Sequence, residues 1–157
     1  TTSTPARVAG QPLALRREPS TPTPELDGTA PMSYLRLVQP VLDKHCVDCH
    51  AKEDKAPKLS RTKGDGQWVE SYRNLKPFAF YYDGGGAFVE SKTYPGQFGA
   101  LASGLYKTLA AGHHGVKLSP EEMRRITLWL DLNSDFYGTY ERIAEQDRGE
   151  VVWPVLE

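Results

Sequence analysis

The chain has 157 residues, a net charge of −1 and only two cysteines. That length suits one domain with tails, the near-neutral charge supplies no strong field for nucleic acid or an acidic membrane surface, and no apolar run approaches membrane-spanning length. Aromatic residues make up 10% of the chain, eight of them tyrosines, which suits a polypeptide that wraps a large, flat, apolar group.

Residues 1–30 hold five of the twelve prolines. Thr21-Pro22-Thr23-Pro24 reads as an extended linker, either a disordered tail or an arm lying on the domain. The domain proper is expected over residues 31–141, followed by a tail over residues 142–157. The first helix should start near Ser33, an N-cap residue after Pro31. Tyr34, Leu35, Val38, Val41 and Leu42 recur at helical spacing on one apolar face, and Pro40 is a site for a kink.

This helix delivers the chain into Cys46-Val47-Asp48-Cys49-His50. Two cysteines three apart and an immediate histidine form the attachment signature of a c-type haem. Each thiol can add to one vinyl group of the porphyrin, the two intervening residues let both sulfurs reach one ring edge, and His50 is then turned beneath the iron as an axial ligand. Two other readings use the same residues. A structural zinc wants four Cys or His ligands, which Cys46, Cys49, His50 and either His113 or His114 could supply. A thioredoxin-like dithiol needs a βαβ setting that the sequence does not provide. His45, just before the motif, reads as a surface or propionate-facing residue.

Residues 51–67, with Lys52, Glu53, Asp54, Lys55, Lys58, Arg61 and Lys63, read as a solvated loop; docking of these lysines to an acidic partner is the alternative. Residues 68–98 concentrate Trp68, Tyr72, Phe78, Phe80, Tyr81, Tyr82, Phe88, Tyr94 and Phe98 around Gly84-Gly85-Gly86. With no G-x-G-x-x-G, a phosphate cradle is not supported. A short helix over residues 69–75 and then an aromatic loop covering the haem or the core are expected, against an exposed platform for glycan. Leu101, Leu105 and Leu109 lie four apart on one helical face, and Gly112 ends that helix. Ser119-Pro120-Glu121-Glu122 is a capped helix start with a capping box. Met123, Ile126, Trp129 and Leu130 form its buried face, and it should run to about Leu132. The tail from Arg142 either packs back on the domain or leads into a further one.

A haem held by His50 has a distal side. Met32 precedes the first helix, Met123 lies on an apolar helix face, and His113-His114 sit in a glycine-bounded loop between two helices. Two adjacent histidines before a capped helix favour imidazole, with His113 first and His114 second. Two imidazoles would give low-spin iron at a lower potential than His/Met and leave no open position.

On these residues the chain resembles class I c-type cytochromes, where CxxCH ends the first helix and the distal ligand precedes a C-terminal helix. Leu118-Ser119-Pro120-Glu121-Glu122 occupies that helix start, and His113-His114 stand where methionine would be. Over residues 32–141 a closer likeness appears: Val38-Gln39-Pro40-Val41-Leu42-Asp43-Lys44-His45-Cys46 resembles the entry to cytochrome domains of planctomycetes and related bacteria, while Gly112-His113, Leu118-Ser119-Pro120-Glu121-Glu122, Trp129-Leu130-Asp131-Leu132-Asn133 and Phe136-Tyr137-Gly138 resemble the middle domain of the hydrazine synthase alpha subunit and its relatives. The resemblance implies an all-α, cytochrome c-like fold of three to four helices around one covalent haem c, with long irregular loops. Electron transfer is the expected activity, with a redox partner protein and no nucleic acid. A haem enzyme or sensor with an open distal site and a glycan-binding module with structural haem are the alternatives. Covalent haem attachment in bacteria takes place outside the cytoplasm, and the start Thr1-Thr2-Ser3-Thr4-Pro5 is not a leader. A periplasmic or extracellular location is therefore expected, with a removed leader or a larger multidomain secreted parent.

Overall fold

The computed structural model describes residues 13–64, 66–80 and 94–155. Among these the regular structure is helical, without strands, so the fold is all-α. The helices are α1 (Tyr34–Leu37), α2 (Gln39–His45), α3 (Val47–Lys52), α4 (Glu70–Leu75), α5 (Gly99–Ala102), α6 (Gly104–Ala110), α7 (Pro120–Asp131) and α8 (Ile143–Asp147). Most are one or two turns long, too short to persist alone in water, so packing holds them. None of the described helices is long and apolar enough to cross a membrane.

The expected first helix is broken twice. Pro40 lacks an N–H and sits in the first turn of α2, where that loss is tolerated, so a new helix starts after Val38. At Cys46 the backbone opens again, to φ −123°, and α3 begins inside the Cys46–His50 motif. The apolar face survives both breaks: Tyr34, Leu35, Val38, Val41 and Leu42 are all buried.

Those side chains meet α4 and α7 in an aromatic core. The Tyr34 ring lies edge-on to Tyr72 and to Trp129, each 5.1 Å away, and stacks on Phe136 at 5.5 Å. Trp68 adds an edge contact to Tyr72 at 5.5 Å. The polar ends of these rings are satisfied, as burial demands. Tyr72 Oη donates to Ser134 O at 2.9 Å and Trp129 Nε1 to Asp135 O at 2.9 Å. Tyr34 Oη donates to Ser71 Oγ at 3.0 Å, and Ser71 Oγ donates to Gln39 Oε1 at 2.5 Å. Tyr72, in the short helix expected over residues 69–75, and Trp68 just before it therefore pack with the core. Tyr81, Tyr82, Phe88 and the triple glycine lie outside the described residues.

The helix start at Ser119 forms both halves of its capping box: Glu122 N–H donates to Ser119 Oγ at 3.1 Å and Ser119 N–H to Glu122 Oε2 at 2.8 Å. Ile126, Trp129 and Leu130 of α7 are buried. The stretch bearing Leu101, Leu105 and Leu109 is not one helix. Ser103, buried and extended at φ −71°, ψ 142°, accepts from Tyr106 N–H at 3.0 Å and starts α6 afresh. The break resets the register, so Leu101 is turned outward, 57% exposed, while Leu105 and Leu109 pack inward.

Both flanks lie on this core. Arg36 pairs with Asp27 at 2.8 Å, and Arg124 pairs with Glu25. At the other end, α8 is tied down by Asp147, which takes Tyr137 Oη at 2.8 Å and Lys63 Nζ at 2.5 Å. Buried Gln146 caps the turn before it, accepting from Gly138 N–H at 3.1 Å and donating to Thr139 O and Glu141 O. Gly138 is needed at this point: a Cβ there would lie 2.2 Å from Met32 O and 2.8 Å from Pro31 Cβ.

Candidate functional site

One face of the core is left open as an apolar cleft with about 730 Å³ of open space out to its mouth. Its apolar lining includes Val41, Leu42 and Ile126 of the core, Leu59, Leu75 and Phe78, and Leu105, Leu109 and Leu118. Few polar groups enter it. Three that do are Cys46, His50 and His113.

His50 comes from α3 and its ring is held from behind. Nδ1 lies 2.7 Å from Pro57 O. A carbonyl can only accept, so Nδ1 carries the proton and the neutral ring has its lone pair on Nε2. A ligating histidine needs this arrangement, with one nitrogen donating to a fixed acceptor and the other bare.

His113 comes from the turn between α6 and α7. Val116 N–H donates to His113 O at 2.9 Å, closing a tight turn whose central residues, His114 and Gly115, both have positive φ, 48° and 80°. That is the pattern of a type I′ turn. The turn separates the two neighbours. His113 is half-buried and lines the cleft, while His114 is exposed and reaches only a smaller outer cavity. The His113 ring centroid lies 6.0 Å from that of His50 and 4.5 Å from that of His114. Desolvation, helped by the neighbouring His114 and His50, lowers the His113 pKa below the ordinary imidazole value, which keeps the ring neutral and able to donate a lone pair.

Cys46 lines both cavities, and Cys49 lines the outer one, which shares Cys46, His50, Leu109 and His113 with the cleft. Both are free, and burial pushes the Cys46 thiol above its ordinary value. His45 shares the outer cavity, and its Nε2 lies 3.0 Å from Glu122 Oε1, which also takes Lys44 Nζ at 2.7 Å. Lys44, the backbone N–H of Ser119 and His45 hold the Glu122 carboxyl well below the usual carboxylate range. The two methionines stay out of the cleft. Met32 packs on the core, Met123 is half-buried on α7, and neither lines a cavity with the histidines.

Among the described residues no group of three or more Cys, His, Asp or Glu side chains converges as metal ligands. Nor do the described residues contain strands that would make the βαβ setting of a thioredoxin-like dithiol. The loop over residues 51–67 is more than solvated chain. Leu59 is buried in the cleft wall, and Pro57 and Lys58 hold α3 from outside. The signal available in the sequence was Leu59 itself, the single large aliphatic residue in that polar run. No family model, curated protein or solved structure matches the chain.

Proposed function

We propose that this chain is a mono-haem c-type cytochrome that transfers electrons, with Cys46 and Cys49 as thioether anchors and His50 and His113 as the two axial ligands. The observation that carries the reading is the pair of imidazoles across an apolar cleft. A metal-bound imidazole nitrogen lies about 2 Å from its metal, and adding about 1 Å from nitrogen to ring centre on each side gives about 6 Å between trans ring centroids. The two rings stand 6.0 Å apart.

The other residues fit the same group. The cleft walls are aliphatic and exclude water from a flat apolar ring. Both thiols line the outer cavity beside the cleft, a placement compatible with thioether attachment to one side of a porphyrin. His50 keeps Nε2 bare because Pro57 O holds the proton on Nδ1, and His113 is kept neutral by its surroundings. Bound haem supplies a one-electron couple, ferric to ferrous, that no side chain of the protein can match. The chain's own part is to bind, orient and shield it. Methionine ligation has no support from the positions of Met32 and Met123. A glycan platform loses Trp68 and Tyr72 to the core. A periplasmic or extracellular setting and a redox partner protein follow from the haem reading.

The test is to make the full chain with haem-maturation machinery present and assay it as the pyridine haemochrome. One haem c per chain, with a low-spin ferric spectrum, is expected. Colourless protein with two titratable thiols refutes the reading, and high-spin iron that binds carbon monoxide or cyanide rapidly supports an open-site haem enzyme or sensor in its place.

A further inference from the structure

The strap after α3 is pinned to more than His50. Lys58 follows the residue whose carbonyl holds Nδ1, and its ammonium turns back onto the end of α3. There Nζ donates to three backbone carbonyls, His50 O at 2.9 Å, Ala51 O at 3.1 Å and Glu53 O at 3.0 Å. An ammonium has three N–H donors, so this set is complete; His50 O and Ala51 O are carbonyls of the last turn of α3, which a helix leaves without partners, and Glu53 O, at the C-cap, also takes the Ala56 N–H at 3.1 Å. From the other side, Asn74 Nδ2 of α4 donates to Lys58 O at 2.8 Å, and buried Gln39 Nε2 donates to Leu59 O at 3.2 Å.

We propose that Lys58 is a positioning residue for His50: its three-carbonyl clamp ties the strap to the helix that carries the ring, and so keeps the Pro57 carbonyl seated on Nδ1. The clamp and the Pro57–His50 bond close one small circuit. The chain runs from His50 through residues 51–56 to Pro57, and Lys58 returns to the His50 carbonyl. With the clamp broken, the strap is left with its turn bond, Ala56 N–H to Glu53 O at 3.1 Å, and with the Asn74 and Gln39 contacts beyond Pro57, so the Pro57 carbonyl is held less firmly at its 2.7 Å from Nδ1. A looser carbonyl makes His50 a poorer electron donor and lets the ring proton move to Nε2, the nitrogen the haem reading needs bare. The inference rests on that reading for its functional meaning, though the Nδ1–Pro57 bond can be measured without it.

The experiment uses the ¹⁵N-labelled full chain as purified, and compares wild type with Lys58→Met, Lys58→Arg and Asn74→Ala. Methionine keeps the stem and removes the donors, arginine restores charged donors, and Asn74→Ala loosens the strap without touching a charge. The readouts are the solvent-exchange lifetime of the His50 Nδ1 proton and the ring ¹⁵N shifts, with thermal melting recorded alongside. Lys58→Met and Asn74→Ala should each shorten the lifetime by about tenfold, and Lys58→Arg should stay within about threefold of wild type. Where haem is bound, Asn74→Ala should also raise the midpoint potential, because a less electron-rich imidazole stabilises ferric iron less. An unchanged lifetime in Lys58→Met, even with a lower melting temperature, overturns the proposal and leaves Lys58 a helix cap only. If Lys58→Met fails to fold, the lifetime in Asn74→Ala decides. A colourless preparation sinks the haem reading and leaves the lifetime measurement intact.

Discussion

On the proposed haem reading, removing the His113 ring should open the sixth coordination position and leave it open. Among the described residues the side chains lining the cleft offer no nitrogen or sulfur donor besides Cys46, His50 and His113 itself. His114 stands on the solvent side of its turn, and neither methionine reaches the cleft. If the chain carries haem as proposed, the ferric iron of His113→Ala should therefore turn high-spin. The size of the effect follows from how firmly the internal ring holds its place. His113 is presented by a closed turn at a 6.0 Å ring separation that needs no rearrangement. If the wild-type spectrum is low-spin with about 1% or less of open site, added imidazole or cyanide binds the variant about 100-fold more tightly than wild type, equivalent to about 2.7 kcal/mol. The assay is EPR at low temperature together with an optical titration of wild type, His113→Ala and His114→Ala. His114→Ala should keep the low-spin spectrum. A His113→Ala protein with the wild-type spectrum and wild-type ligand affinity, or a His114→Ala protein that loses them, would refute the assignment of His113.

Three further outcomes concern the scaffold. Ser119→Ala removes the acceptor for Glu122 N–H in the capping box and should cost about 1 kcal/mol, a fall of about 2–4 °C in melting temperature for a chain of this size; no change would show that the box contributes nothing here. Gly138→Ala places a methyl against Met32 O and Pro31 Cβ, an overlap expected to cost about 1–3 kcal/mol and to detach the segment before α1, which limited proteolysis would detect as new cleavage near residue 31. Glu122 has its pKa depressed in the folded state by Lys44, Ser119 and His45. A depressed carboxyl contributes stability above its unfolded value, and that contribution is lost as pH falls through the folded value. Glu122→Gln should therefore flatten the acid limb of the stability curve below the ordinary carboxylate pKa of 4.5, measured by urea unfolding at stepped pH; an acid limb as steep as wild type would contradict the role given to this carboxylate.

Much of this was legible in the order of residues because it depends on near neighbours. The Cys46–His50 spacing, the Ser119–Glu122 capping box and the 3.6-residue period of Tyr34 to Leu42 are local features, and local geometry reads them out. Such reading stops where a distant contact outweighs local preference. The period of Leu101, Leu105 and Leu109 implied one helix, but Ser103 is buried against the core and restarts the chain there. The short helix expected over residues 69–75 forms as α4, yet nothing local shows that Tyr72 on it and Trp68 before it are drawn into the cluster around Tyr34 and Trp129.

The sequence by itself determined which residues carry reactive groups and how far apart along the chain they lie, because covalent spacing and helix caps are written in consecutive positions. Only the tertiary structure decided which of two adjacent histidines faces His50, and that a carbonyl from Pro57 sets the protonation of the His50 ring. The physical reason is the same in both cases. A backbone turn at positive φ and a hydrogen bond across seven residues depend on where packing brings the chain back to itself, and residue order alone does not encode that return locally.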